Sequence, residues 1–70
     1  MAIGRVVEIS AMSSESFDDA VRQGIERAEK TLRNIRGAWV KDQRVEVENG
    51  KVTGYQVNMQ LTFLMEDTLS

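Results

Sequence analysis

The stretch AWVKDQRVEVENGKVTGYQVNMQLTFLM, residues 38–65, contains two strand-like runs joined at Asn49-Gly50. Asn-Gly supplies the two left-handed residues of a type I′ turn and β-prone residues flank it on both sides, so the stretch reads as a β-hairpin. The second arm alternates: Tyr55, Val57, Met59, Leu61, Phe63 and Met65 share one face, while Gln56, Asn58, Gln60 and Thr62 share the other. One face belongs to a core and the other is rich in amides. The first arm is less regular, because the apolar phase of Ala38 and Val40 gives way to that of Val45 and Val47 across Lys41 to Arg44. A β-bulge or a change of burial partner accounts for the switch. A regular ladder from a two-residue loop sets Val40 opposite Met59, Gln43 opposite Gln56, and Trp39 opposite Gln60; a bulge near Asp42 moves these partners by one residue. The single tryptophan then joins the amide-rich face. Trp39 with Gln43, Gln56, Asn58 and Gln60 makes a flat aromatic surface beside hydrogen-bonding groups, which suits a small planar heterocyclic ligand; the competing role for the indole is to cover a subunit contact.

Seventy residues bound everything else. They make a single domain, 1–70, and a chain this short buries only roughly 60% of its extended surface on folding. There is no cysteine for a disulfide or thiolate site and no histidine for a metal or a catalytic base. Association of subunits is therefore the expected source of the missing stability. The net charge of −2 is spread in mixed sign without a basic stripe, so no nucleic-acid partner is expected. No long apolar run and no export signal is present, so no membrane partner is expected and the cytoplasm is the default location.

Taken in order, residues 1–11 form a short strand on Ile3, Val6, Val7 and Ile9. Ser13 or Ser14 then opens a helix, with Glu15, Asp18 and Asp19 near its positive end. Phe17, Val21, Gly24, Ala28, Leu32 and Ile35 make one apolar stripe, widened by Ile25. Asp18-Arg22, Arg22-Glu26, Glu26-Lys30 and Glu29-Arg33 are spaced for ion pairs of about 0.2–0.5 kcal/mol each on the outer side. Gly24 costs roughly 1 kcal/mol of helix propensity against alanine, and a close approach of helix to sheet would explain its use. The helix ends near residues 32–34, and residues 67–70 are polar and expected to fray. The fold class is α+β: a three-stranded antiparallel sheet with one covering helix, in β-α-β-β order. Its second face, carrying Trp39 and the glutamines, meets solvent or another subunit.

No HExxH, CxxC, GxGxxG or Walker motif occurs, and no serine has a histidine to activate it, so the chain reads as no enzyme. Asp18 and Asp19 compensate charge at the helix start and point in different directions. Asp42, Glu46 and Glu48 share a nominal strand face, where copies brought together by symmetry would offer oxygens to a hard cation. Arg5, Arg36 and Arg44 are candidates for an anionic substituent such as a phosphate, or for ion pairs between subunits.

Three segments together carry a family resemblance: V-V-E-I-S-A-M-S-S-E-S-F-D-D-A (6–20), R-A-E-K-T-L-R-N-I (27–35) and N-G-K-V-T-G-Y-Q-V-N-M-Q-L-T-F (49–63). The chain resembles the dodecins over nearly its whole length. That resemblance implies a βαββ subunit of a hollow homododecamer that holds FMN or riboflavin, with coenzyme A as a further ligand, in storage or sequestration. It also implies that Gln56 matches the glutamine that bonds the pyrimidine-like edge of the flavin, and Arg44 an arginine near phosphate-bearing ligands. Gly37 stands where the flavin-stacking tryptophan usually lies and Trp39 falls two residues later, on the same strand face and roughly 6.6 Å further along. Leu64 stands where flavin- and coenzyme-binding members often carry a basic residue. A branch without the stacking tryptophan resembles this chain around Ile35-Arg36-Gly37-Ala38 and has a calcium-binding role. The reading is a cytoplasmic flavin-binding homododecamer that uses Trp39, Gln56, Arg44, Gln43, Asn58 and Gln60. The alternative is a dodecin-like structural or calcium-binding oligomer that does not bind flavin.

Overall fold

The computed structural model describes residues 3–65. The elements run β1 (Ile3–Ser13), α1 (Phe17–Leu32), β2 (Ile35–Glu48) and β3 (Lys51–Met65). The sheet order is β1-β3-β2, and both pairings are antiparallel. The most cleanly alternating strand thus takes the central place. Its Val57, Met59 and Leu61 are fully buried under α1, while β1 and β2 form the two edges. Asn49 (φ 52°) and Gly50 (φ 78°) both occupy the left-handed region that the hairpin turn demands. Met65 closes the alternating run as a strand residue, and the polar tail at 67–70 lies outside the described residues.

The register of the hairpin is set by three irregularities: one at the far end, where Ile35 pairs with Phe63 and Gly37 with Thr62 and Arg36 is extra on β2, and two opposed ones nearer the turn. Beyond the turn, Glu46 pairs with Gly54 where Val47 pairs with Val52, which leaves Thr53 as an extra residue on β3. Further on, Asp42 pairs with Asn58 where Val40 pairs with Met59, which leaves Lys41 as an extra residue on β2. The second shift cancels the first. Trp39 therefore meets Gln60 and Val40 meets Met59, as a regular ladder requires, but between the shifts the partners differ from that ladder. Gln43 faces Val57, and it is Arg44 that faces Gln56. The extra residue at Lys41 is also the reason that the apolar phase of β2 changes there.

The helix starts later than the serines at 13 and 14 suggest. Ser13 still pairs with Tyr55 in the sheet, and its buried hydroxyl accepts from the backbone N–H of Glu15 (2.9 Å) and Ser16 (3.4 Å) while donating to Asp19 (2.6 Å). Ser16 is the N-cap, accepting from the Asp19 N–H at 3.0 Å. At the other end, Arg33 (φ 57°) and Asn34 (φ 56°) are both left-handed. The Glu29 carboxylate holds that turn, accepting from the Asn34 and Ile35 N–H groups at 3.1 Å each. Glu29 is thus a cap for the chain reversal and not the partner of Arg33. None of the four expected helix ion pairs closes; the ion pairs among the described residues, Lys41–Glu8 at 3.6 Å and Arg44–Glu46 at 3.7 Å, lie on the sheet.

Beneath the helix, Ala20 joins the core at full burial, with Phe17, Val21, Ile25, Ala28, Leu32 and Ile35 packed around it. The Phe17 ring meets Tyr55 edge-on with centroids 5.1 Å apart. Gly24 sits at the tightest crossing: a Cβ there would lie 2.8 Å from the Ala11 Cβ and 3.0 Å from the Met59 Cε. Only a residue without a side chain lets α1 come this close to the sheet.

The covering is incomplete. A helix of 16 residues is about 24 Å long, while β3 with 15 residues reaches about 50 Å. The turn end of the hairpin therefore projects past α1 and leaves Val45, Val47 and Val52 exposed. The chain is 56 Å long with a radius of gyration of 14.6 Å, against roughly 11 Å for a compact domain of this length. No helix among the described residues is long and apolar enough to cross a membrane.

Candidate functional site

Directly paired residues of an antiparallel sheet point to the same side, so the register assigns every side chain on the face turned away from α1. Four central rows result, each reading β2, β3, β1: Gly37, Thr62, Val6; Trp39, Gln60, Glu8; Asp42, Asn58, Ser10; and Arg44, Gln56, Met12; Leu64 with Gly4 and Glu46 with Gly54 flank them. Trp39 is 73% exposed, far more than an indole used for the chain's own core. Val6 and Met12 are exposed apolar residues on the same face. An aromatic plane, amides and hydroxyls thus share one surface that the isolated subunit leaves open.

Of the residues singled out from the sequence, Trp39, Gln56, Asn58, Gln60 and Arg44 are brought to this face. Gln43 is not. Opposite Val57, it belongs to the helix side, because the extra residue at Lys41 and the one at Thr53 reverse its phase between them. Arg5 also lies on the other side, opposite Phe63. Asp42 and Glu46 pair across from Asn58 and Gly54, whereas Glu48 lies beyond the shift at Thr53, so the three acids do not form one stripe. Among the described residues no three acids gather as a metal site.

The polar groups of the face are bonded to one another. Gln60 Nε2 donates to Glu8 Oε2 at 3.1 Å, and Lys41 Nζ approaches the same oxygen. Asn58 Nδ2 donates to Asp42 Oδ1. The Ser10 hydroxyl donates to Asn58 Oδ1 at 2.7 Å, and Gln56 Nε2 donates to Ser10 Oγ at 2.8 Å and to Asn58 Oδ1 at 3.3 Å. Ser10, Glu8 and Asp42 are the members that motif reading missed as partners. Alternation along β1 puts Glu8 and Ser10 in one phase, but which strand they face depends on β1 lying beside β3. A recess of about 300 Å³ is lined by Glu8, Ser10, Lys41, Asp42 and Asn58 in the middle of this array. A wider groove of about 450 Å³ between β1 and α1 contains neither Trp39 nor Gln56.

Gly37 and Trp39 occupy successive rows. A Cβ at Gly37 would meet nothing within 4 Å, so its row is open beside Thr62. The indole at Trp39 stands one row nearer to Gln56, two row spacings or roughly 13 Å away from it.

The sequence pattern of the family described as Dodecin matches residues 3–66. The chain belongs to the dodecin family. It is 34% identical over 62 residues to the dodecin of Thermus thermophilus, covering 89% of this chain and 90% of that one. It is 30% identical over 66 residues to the calcium dodecin of Mycobacterium tuberculosis, covering 93% and 92%. The solved dodecin of Streptomyces davaonensis superposes with a TM-score of 0.90 at 33% identity, covering 94% of this chain and 97% of that one. These likenesses extend over the helix and all three strands, so this dodecin has the family's subunit fold.

Proposed function

We propose that this dodecin is a non-enzymatic binding protein that stores or sequesters a flavin, FMN or riboflavin, on the outer face of its sheet. The carrying observation is the 73%-exposed Trp39 on one face with the amides of Gln56, Asn58 and Gln60. An indole offers a planar apolar surface for the ring system, and the amides offer hydrogen bonds to a heterocycle edge. Arg44, beside Gln56, suits a phosphate on the ligand: its contact with Glu46 is exposed, and such pairs contribute little and are readily exchanged. That same cation extends the reading to coenzyme A as a further ligand.

The site is shared between copies in this reading. The subunit leaves Trp39, Val45, Val47 and Val52 in the open, which association into a homododecamer would cover, and the proposed location is the cytoplasm. Stacking against Trp39 predicts that Trp39→Ala raises the riboflavin dissociation constant roughly three- to tenfold, the equivalent of an aromatic contact of about 0.5–1.5 kcal/mol. Calorimetric titration checks this, and an unchanged constant removes Trp39 from the site.

A second reading is supported by the 30% identity to the calcium dodecin of Mycobacterium tuberculosis. Here the shell binds calcium and no flavin, with the outer-face acids Glu8 and Asp42 meeting those of another copy. Melting that rises with added calcium in flavin-free protein favours this reading, and identical melts with calcium and with chelator discard it.

A further inference from the structure

We propose that Asp42 is a positioning residue that fixes Gln56 as a hydrogen-bond acceptor toward the ligand, so that the site selects a heterocycle presenting an N–H at its edge. The inference deepens the flavin reading above and rests on it for the identity of the ligand. An ionised carboxylate has no proton to give, so Asp42 accepts only. Its contact with Asn58 therefore places the Asn58 NH₂ toward Asp42 and turns Oδ1 the other way. That oxygen takes the Ser10 proton at 2.7 Å. With its proton committed, Ser10 Oγ can only accept from Gln56, which it does at 2.8 Å. The same Gln56 hydrogen also leans toward the Asn58 oxygen at 3.3 Å, since the two acceptors are themselves only 2.7 Å apart. Gln56 Nε2 is thereby held inside the face, and the carbonyl Oε1, which takes no part in these bonds, is the acceptor left for a ligand.

The donations all run one way, from Gln56 through Ser10 and Asn58 to Asp42. An amide at position 42 would remove that direction, because it gives as readily as it accepts. Asn58 could then turn over, Ser10 would donate to Gln56, and Gln56 would present Nε2 outward. The charged groups nearest Asp42 lie against other carboxylates, Lys41 by Glu8 and Arg44 by Glu46. A ring N–H between two carbonyls, as on a flavin, meets an outward acceptor; a methylated ring nitrogen does not. Covering the face with a ligand or a second copy lowers the local dielectric and strengthens each link.

The experiment has two arms on the assembled full-length protein, comparing wild type with Asp42→Asn and Asn58→Leu. The first arm uses no ligand and follows the side-chain NH₂ resonances of Gln56 by nuclear magnetic resonance. They are expected to move in Asp42→Asn, and unchanged Gln56 resonances overturn the relay. In the second arm, riboflavin and N3-methylriboflavin are titrated. Wild type is expected to favour riboflavin about tenfold, the worth of one hydrogen bond. Both variants are expected to lose that preference by weakening riboflavin alone. Equal weakening of both probes, or a preference kept in both variants, overturns the proposal. Gln56 resonances that respond to Asp42→Asn in a protein that binds neither probe support the relay and discard the flavin reading instead.

Discussion

At Gly24 two effects of opposite sign meet. Alanine there gains up to about 1 kcal/mol of helix propensity. Its Cβ, however, would stand 2.8 Å from the Ala11 Cβ, an atom fixed to the backbone of β1, and relieving such overpacking costs typically 1–3 kcal/mol. The steric effect wins, so Gly24→Ala is expected to lower the melting temperature, and Ala11→Gly in the same chain to restore part of the loss. A melt that rises in Gly24→Ala would show that the helix can move away from the sheet. Close approach at Gly24 was legible in the sequence from a glycine on an apolar stripe, but its contact was not, because Ala11 is a small residue whose neighbour depends on which strand lies beside β3. Gln43 shows the opposite case. Its place on the helix side depends on two register shifts on different strands, at Lys41 on β2 and at Thr53 on β3, and alternation read along one strand cannot place both.

Each element is fixed at its ends by particular side chains. Ser16 caps α1, so Ser16→Ala is expected to cost about 1 kcal/mol, measured by chemical denaturation; no change would mean that Ser13 takes over the cap. Glu29 holds the left-handed turn into β2 with both carboxylate oxygens, and Glu29→Gln is expected to destabilise less than Glu29→Ala because its amide oxygen can still accept. The sequence marked Glu29 for an ion pair with Arg33, since spacing alone points there. Spacing does not reveal that two N–H groups beyond the helix lack partners. The hairpin turn was legible because Asn-Gly satisfies a backbone requirement locally, whereas the caps depend on where β1 stops.

At the scale of the molecule, the decisive feature is a subunit too long for its own helix. The exposed valines of the projecting hairpin and the open Trp39 face need other copies to cover them, so stability is expected to depend on protein concentration. Thermal melts across a wide dilution series check this, and a melting temperature independent of concentration would describe a subunit stable alone. The order of elements and the central place of β3 follow from hydrophobic period and turn chemistry. The site followed in part: its residue types were visible, while the bonds that orient them join strands β1, β3 and β2 and appear only in the folded sheet. Whether that face holds a flavin is tested most directly by adding the assembled protein to riboflavin and following flavin emission. The emission is expected to fall to a saturating endpoint as the ring stacks on Trp39, and a signal that stays on the buffer baseline throughout the titration contradicts the account.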